Sequence, residues 1–378
     1  VSRPLYVTRP LLPDLASVQS MLAEIWKTGI LTNGGPMHEK LEREMEAYLS
    51  VPNAMLFNNG TIALLVALKM MDLPPGSEVI TTPLTFAATA HAIAWNGLVP
   101  VFADVDPDTL TIDPASIEKA VTRKTSAILA VHVYGTICDV IGIQAVADRY
   151  DLRVIYDAAH VFGATMHGRS IGSFGDASVF SFHATKLFNT LEGGLITTPR
   201  QEDRQVIYNL RNFGIKSEEE VVSIGINGKM NEVQAAIGLL NIPLVEEERR
   251  RRSILREKYF SIFRSIPGIT LPIKQKGVIN SEQYFHIVID PAAFGKSRDE
   301  IYDNLKKRGI FARKYFHPIC TDFEPYKDFP IFSSLERPWA EIVKSQVLCL
   351  PFHSGVEDED ILDIAEEFGL SVAEVAQH

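Results

Sequence analysis

The sequence predicts an α/β fold: a mostly parallel central sheet with helices on both faces, followed by a smaller C-terminal α+β unit. Three observations carry this reading. From residue 54 to 198, continuous apolar runs alternate with stretches of helical periodicity, the pattern of parallel strands buried on both faces. At 378 residues the chain is too long for one small core, so two domains are expected. The composition shifts near Asn241-Ile-Pro-Leu, where a long charged helix begins. The two units are therefore set at 1–242 and 243–378.

Residues 1–50 read as a proline-bearing arm and then an amphipathic helix over 37–48, rich in Glu with Lys and Arg between. Helical periodicity over 61–71 precedes an extended run at 78–82. A helix over 87–95 leads to a strand at 99–104. Asp113 as N-cap and Pro114 in the first turn open a helix over 114–121. A strand over 126–134 stops at Gly135, and a helix over 141–150 leads to a strand at 152–156. The runs 177–182 and 194–198 read as later strands, with antiparallel pairing at one edge. In the second unit, 284–289 reads as a strand and 297–308 as a helix.

Composition narrows the classes of function. A chain that is 46% hydrophobic and 22% charged has the balance of a globular protein in water. A formal net charge of −10 gives no overall attraction for nucleic acid or an anionic membrane. Four consecutive arginines, Arg249 to Arg252, follow Glu246-Glu-Glu and read as a solvated helix face paired at i,i+3 and i,i+4. Three scattered cysteines without metal-ligand spacing suit a reducing cytoplasm. No apolar run reaches the ~18 residues of a membrane span, and the N-terminus lacks a signal-peptide core.

The chemistry centres on Ser181-Phe-His-Ala-Thr-Lys186, which puts one lysine just past a strand and among apolar neighbours. Such a lysine has its pKa lowered by burial, which suits it to act as a nucleophile and Schiff-base former. Upstream, Ile155-Tyr-Asp157-Ala-Ala-His160 ends another strand with an aspartate. A buried carboxylate needs a partner, and a pyridinium N–H would supply one; a helix N-cap is the alternative. Asn58-Asn-Gly60-Thr61 opens a helix whose first amides lack internal partners, a ready anion site. Lysine, aspartate and anion site are the three parts that a pyridoxal 5'-phosphate (PLP) enzyme takes from its protein. Ser181 offers a hydroxyl to the same phosphate, and Phe86 offers a ring face for stacking or serves the core. His160 either faces the cofactor's 3-oxygen or is a satisfied structural histidine. The motifs show no metal site.

The ordered set Asn-Gly-Thr, Thr-Pro-x-Thr-Phe, Asp-Ala-Ala-His, Ser-Phe-His-x-Thr-Lys, Glu192-Gly-Gly and Gly225-Ile-Asn227-Gly-Lys-Met-Asn231-Glu resembles the DegT/StrS-type nucleotide-sugar aminotransferases. These are PLP enzymes of fold type I, and the resemblance runs from about residue 6 to about 355. It implies a homodimer with active sites at the subunit interface. It also implies Lys186 bonded to the cofactor, Asp157 on the pyridine nitrogen, and Gly60, Thr61 and Ser181 on the phosphate. Phe86 would stack on the ring, and Asn227 would reach the phosphate of the neighbouring subunit. Three positions depart from the common pattern: His160 for glutamine, Phe213 for histidine and Lys229 for arginine. The implied reaction moves the amine of L-glutamate to C4 of a dTDP-linked 4-keto-6-deoxyhexose; the rivals are amination at C3, a PLP dehydratase and a non-catalytic sensor. Lys229, Arg313 and Lys314 are the candidates for the substrate diphosphate.

Overall fold

The computed structural model describes residues 3–370; the outermost residues of both expected units, 1–2 and 371–378, lie outside them. An eight-stranded sheet forms the centre. Its order is Ile331–Phe332, Val99–Ala103, Glu78–Thr81, Thr125–Val131, Arg153–Asp157, Ala177–Ser181, Gly194–Thr198, Asn53–Phe57. All neighbouring pairs from Ile331–Phe332 to Ala177–Ser181 are parallel. Gly194–Thr198 runs against both of its neighbours. The antiparallel strand therefore lies one place in from the edge, which Asn53–Phe57 occupies.

The alternation of side chains explains why both faces are covered. Ile128 and Ala130 join one apolar cluster with Leu41 and Met45 of the helix Pro36–Leu49, Ile143 of Val140–Tyr150 and Ala235 of Glu232–Asn241. Ala127 and Leu129 face the other way, onto Leu64 and Leu68 of Gly60–Met70, Ile93 of Ala87–Trp95 and Ile207 of Asp203–Arg211. The helix Pro114–Ala120 starts as its sequence indicates, with the Asp113 carboxylate accepting from Ala115 N and Ser116 N, both at 3.1 Å.

Among the departures from the sequence expectation, three stand out. The arm carries a helix, Leu15–Thr28, opened by Asp14 directly after Pro13. The strand expected over 126–134 leaves the ladder at Val131, because the Tyr134 amide turns to His160 Nδ1 at 3.2 Å and Tyr134 adopts φ 59°. The large sheet also gains Ile331–Phe332 from the far end of the chain.

After the long helix Val245–Phe263, the strands Ile269–Thr270, Phe285–Ile289 and Val347–Leu350 make a small antiparallel sheet. The helices Arg298–Lys307 and Asp358–Glu367 cover it over an apolar cluster of its own. The arginine run divides. Arg250 and Arg251 are solvated and share Glu247, at 2.8 and 2.7 Å. Arg252 is 0% exposed and bonded to Glu248 at 2.7 Å.

Candidate active site

A cavity of about 750 Å³ opens at the carboxyl ends of the parallel strands, where this sheet architecture gathers its functional groups. Asp157 ends one strand and Ser181 the next, and the register pairs Asp157 with Val179, so Ser181 lies two residues further along the neighbouring strand. The loop after Ser181 carries Lys186 into the same space. Asp157, Lys186, His160, Gly60, Thr61, Ser181 and Phe86 all line the cavity.

Asp157 is only 7% exposed, and burial raises its carboxyl pKa. Three groups oppose that cost: Thr89 Oγ1 donates to Oδ2 at 2.8 Å, Ala159 N donates to Oδ1 at 3.1 Å, and the Lys186 charge is near. Thr85 Oγ1 lies 3.0 Å from Thr89 Oγ1 and extends the chain of hydroxyls. Burial pushes the Lys186 amine down to about 8, against the pull of Asp157. A lysine so placed exchanges its proton near neutral pH, as a general base and acid must.

His160 Nδ1 accepts the Tyr134 amide, which leaves the ring proton on Nε2 when the imidazole is neutral. Burial, with Lys186 adding to it, holds the ring well below the usual histidine pKa, so the neutral form is the working one. Its ring stacks on Phe316 and meets Tyr284 edge-on. His160 thus presents one N–H donor in a fixed orientation.

The anion site stands at the start of Gly60–Met70. Asn59 caps the helix by accepting from Ile62 N at 2.8 Å, while the Gly60 and Thr61 amides have no acceptor among the described residues. A Cβ on Gly60 would sit 2.9 Å from Ser181 Cβ, and one on Gly194 would sit 2.5 Å from Asn59 O. Glycine at these two positions lets helix start, serine and antiparallel strand close on one another. The arrangement holds an anion by N–H dipoles and a hydroxyl.

Of the other expected residues, Phe86 lines the cavity at its edge and the rest lie outside the lining. Phe86 caps the helix Ala87–Trp95 at the cavity mouth and is 63% exposed in the single chain. Asn227 is on an exposed loop outside the lining, its carbonyl accepting from Asn58 Nδ2 at 3.4 Å. Lys229 donates to Asn212 Oδ1 at 2.8 Å and sits 4.8 Å from the Phe213 ring centroid, so two of the three departures touch. Lys314 is turned to Asp299 at 2.5 Å and the Tyr302 ring at 4.3 Å. Arg313 is exposed and pairs by backbone with Cys349. None of Lys229, Arg313 and Lys314 lines the cavity of its own chain.

Thr89, Tyr284, Tyr315 and Phe316 belong to the site without having been expected there. Thr89 had a local signal, a hydroxyl four residues after Thr85 on a mostly apolar helix. The other three come from the second unit and had none.

The profile of the DegT/DnrJ/EryC1/StrS aminotransferase family matches residues 15–369. The chain belongs to this family. The aminotransferase is 44% identical to a dTDP-4-amino-4,6-dideoxy-D-glucose transaminase of Shigella dysenteriae, over 96% of this chain and 97% of the relative. Its identity to the transaminase of the same description from Escherichia coli is 42%, over 95% and 96%. Among solved structures, DesI in the presence of its TDP-sugar product superposes on it with a TM-score of 0.91 at 37% identity, covering 97% of this chain and 92% of that one. The α/β architecture expected from the sequence is thus the fold of known sugar aminotransferases. No helix among the described residues is long and apolar enough to cross a membrane.

Proposed function

We propose that this aminotransferase uses PLP to move the amino group of L-glutamate to the C4 keto carbon of a dTDP-4-keto-6-deoxyhexose, acting as a cytoplasmic homodimer. The observation that carries the proposal is the convergence of Lys186, Asp157 and the Gly60–Thr61–Ser181 anion site in one cavity. That the Shigella and Escherichia relatives are dTDP-4-amino-4,6-dideoxy-D-glucose transaminases supports the choice of substrate.

The residues fit the cofactor. The unpartnered amides of Gly60 and Thr61, with Ser181 held close by the missing Cβ, suit its phosphate. Asp157, buried and stabilised as a carboxylate by Thr89 and Ala159, suits its ring N–H. The His160 Nε2–H suits its 3-oxygen, and Phe86 the ring face. When bound, the cofactor supplies covalent attachment to the amine and an electron sink for the carbon that loses a proton.

The chain supplies the rest. Lys186 Nζ takes the proton from the donor's α-carbon and, in the return half-reaction, delivers one to C4 of the hexose. Its lowered pKa allows both roles. Asp157 keeps its negative charge opposite the ring nitrogen, and burial strengthens that interaction. Residues 1–242 serve as the cofactor-bearing unit. The second unit, 243–378, contributes Tyr284 and Tyr315 to the cavity. Asn227 contributes to the phosphate site of the second subunit. Arg313 and Lys229 meet the substrate diphosphate at the rim, while Lys314 must first leave Asp299.

Purified protein given L-glutamate and dTDP-4-keto-6-deoxyglucose, or its 3-keto isomer, tests this by NMR of the product. An amine on C4 is expected; an amine on C3, or no turnover with either nucleotide sugar, overturns the proposal.

A further inference from the structure

The segment from Asn280 to Tyr284 runs along the cavity wall and is bonded to Gly135, to His160 and to the lysine loop. Asn280 Nδ2 donates to Gly135 O at 3.1 Å, and Ser281 Oγ donates to His160 O at 2.6 Å. Gln283 spans the lysine: its Oε1 accepts from Leu187 N at 2.7 Å and its Nε2 donates to Thr185 O at 3.1 Å. One amide side chain therefore grips the residues on both sides of Lys186. Next to it, the Tyr284 ring centroid lies 5.9 Å from Lys186 Nζ.

The segment is itself anchored from outside the cavity. Arg256 Nε donates to Glu282 Oε2 at 2.6 Å, Arg252 to Glu282 O at 3.2 Å and Arg249 to Asn280 O at 2.8 Å. All three arginines come from one face of the helix Val245–Phe263, and Arg252 and Arg256 are buried. Glu282 holds a left-handed φ of 59°, with its amide bonded to Asn280 Oδ1 at 2.8 Å. A non-glycine residue keeps such a conformation only where its surroundings fix it. Gln283 is 1% exposed and does not line the cavity, so it acts on the chemistry through its neighbours, the lysine loop and Tyr284.

We propose that Gln283 is a positioning residue for Lys186, and that the Val245–Phe263 arginines hold it in place through Glu282. This rests on Lys186 being the reactive amine. Buried peptide groups need partners, and Gln283 supplies them for Leu187 N–H and Thr185 C=O. With both held, the Lys186 Cα has little freedom, and the amine keeps one distance from the carbon whose proton it moves. A misplacement of about 1 Å at a reacting centre costs about a hundredfold in rate.

The test compares the cofactor-loaded wild type with Gln283→Leu, Gln283→Glu and Arg256→Gln. It uses steady-state kinetics, thermal midpoints and residue-resolved hydrogen exchange at Leu187. Gln283→Leu should speed exchange at Leu187 at least about tenfold, as the loss of a buried hydrogen bond implies. It should also lower kcat by about ten- to a hundredfold, with KM for the sugar little changed. Gln283→Glu keeps the acceptor for Leu187 N–H but sets a carboxylate against Thr185 O. Its protonated form can donate there, so its relative kcat should recover as pH falls and drop as pH rises. Arg256→Gln should reproduce part of the exchange effect from a distance.

Unchanged Leu187 exchange in Gln283→Leu overturns the proposal, as does a Gln283→Glu profile parallel to that of the wild type. If Gln283→Leu does not fold, the other two variants decide by the same criteria. Hydrogen exchange does not depend on the substrate. Failure of the sugar assay alone therefore counts against the proposed function, while unchanged exchange counts against Gln283.

Discussion

Replacing Thr89 by valine isolates the support of the aspartate. Valine keeps the branched shape and removes only the hydroxyl that donates to Asp157 Oδ2 at 2.8 Å. Burial already raises this carboxyl, and Thr89 comes first among the groups that oppose it, ahead of the Ala159 amide and Lys186. A hydrogen bond to a charged acceptor is worth about 1.5–3 kcal/mol, which is about ten- to a hundredfold in proton affinity. The direction follows: without the hydroxyl the carboxylate binds its proton more tightly, so the ionised form appears only at higher pH. The acid limb of the kcat/KM profile should move to higher pH. On that limb the variant should be slower by about ten- to a hundredfold, and it should approach the wild type on the plateau. Asp157→Asn, which cannot ionise, should stay low at every pH. The assay is initial rate against pH, with the thermal midpoint and the visible absorbance of the bound cofactor followed in parallel. A properly folded, coloured Thr89→Val protein whose acid limb coincides with the wild type would refute the reasoning.

Three further outcomes are expected. Gly60→Ala places a Cβ 2.9 Å from Ser181 Cβ and should weaken PLP binding about ten- to a hundredfold, the worth of one charge-assisted bond; titration of the cofactor-free protein by absorbance would show unchanged affinity if the cradle is misread. Burial holds the Lys186 amine near 8 against an ordinary 10.5, so between those pH values the native state binds fewer protons than the unfolded chain and stability rises with pH. Lys186→Met should flatten that rise in the cofactor-free protein, measured by urea unfolding from pH 7 to 10.5; an equal rise in both proteins would contradict it. Inactive Lys186→Ala chains mixed with inactive Asn227→Ala chains should regain activity, since each mixed dimer holds one intact site; no recovery after verified subunit exchange assigns Asn227 to its own chain.

Most of the large unit was legible because its information is local. A strand followed at once by Asp157, another followed by Lys186, and a capped turn at Asn59 each write their geometry into a few consecutive residues. The helix Leu15–Thr28 was obscured by the prolines before it, although Asp14 after Pro13 is an ordinary start signal. Gln283, Tyr284 and Tyr315 were not legible as site residues, since only the packing of distant segments brings them there. Lys314 shows the same limit in reverse. Its charge invited a ligand, and the carboxylate that holds it, Asp299, belongs to a neighbouring helix that local reading cannot dock.

The placement of the antiparallel strand Gly194–Thr198 also bears on the order of folding. It forms a hairpin with Ala177–Ser181 from residues close in the chain, but its other edge must find Asn53–Phe57, made much earlier in synthesis. Gly60 and Ser181 cannot meet until that long closure is complete, and closures between distant segments are the slow, entropically costly steps. The hairpin that carries the serine can therefore form early, while the helix start waits for Gly194–Thr198 to dock. A chain still being synthesised has no phosphate cradle before residue 198 has emerged and docked. Cofactor capture thus reports that this end of the sheet has closed, while Ile331–Phe332 still has to join its other edge.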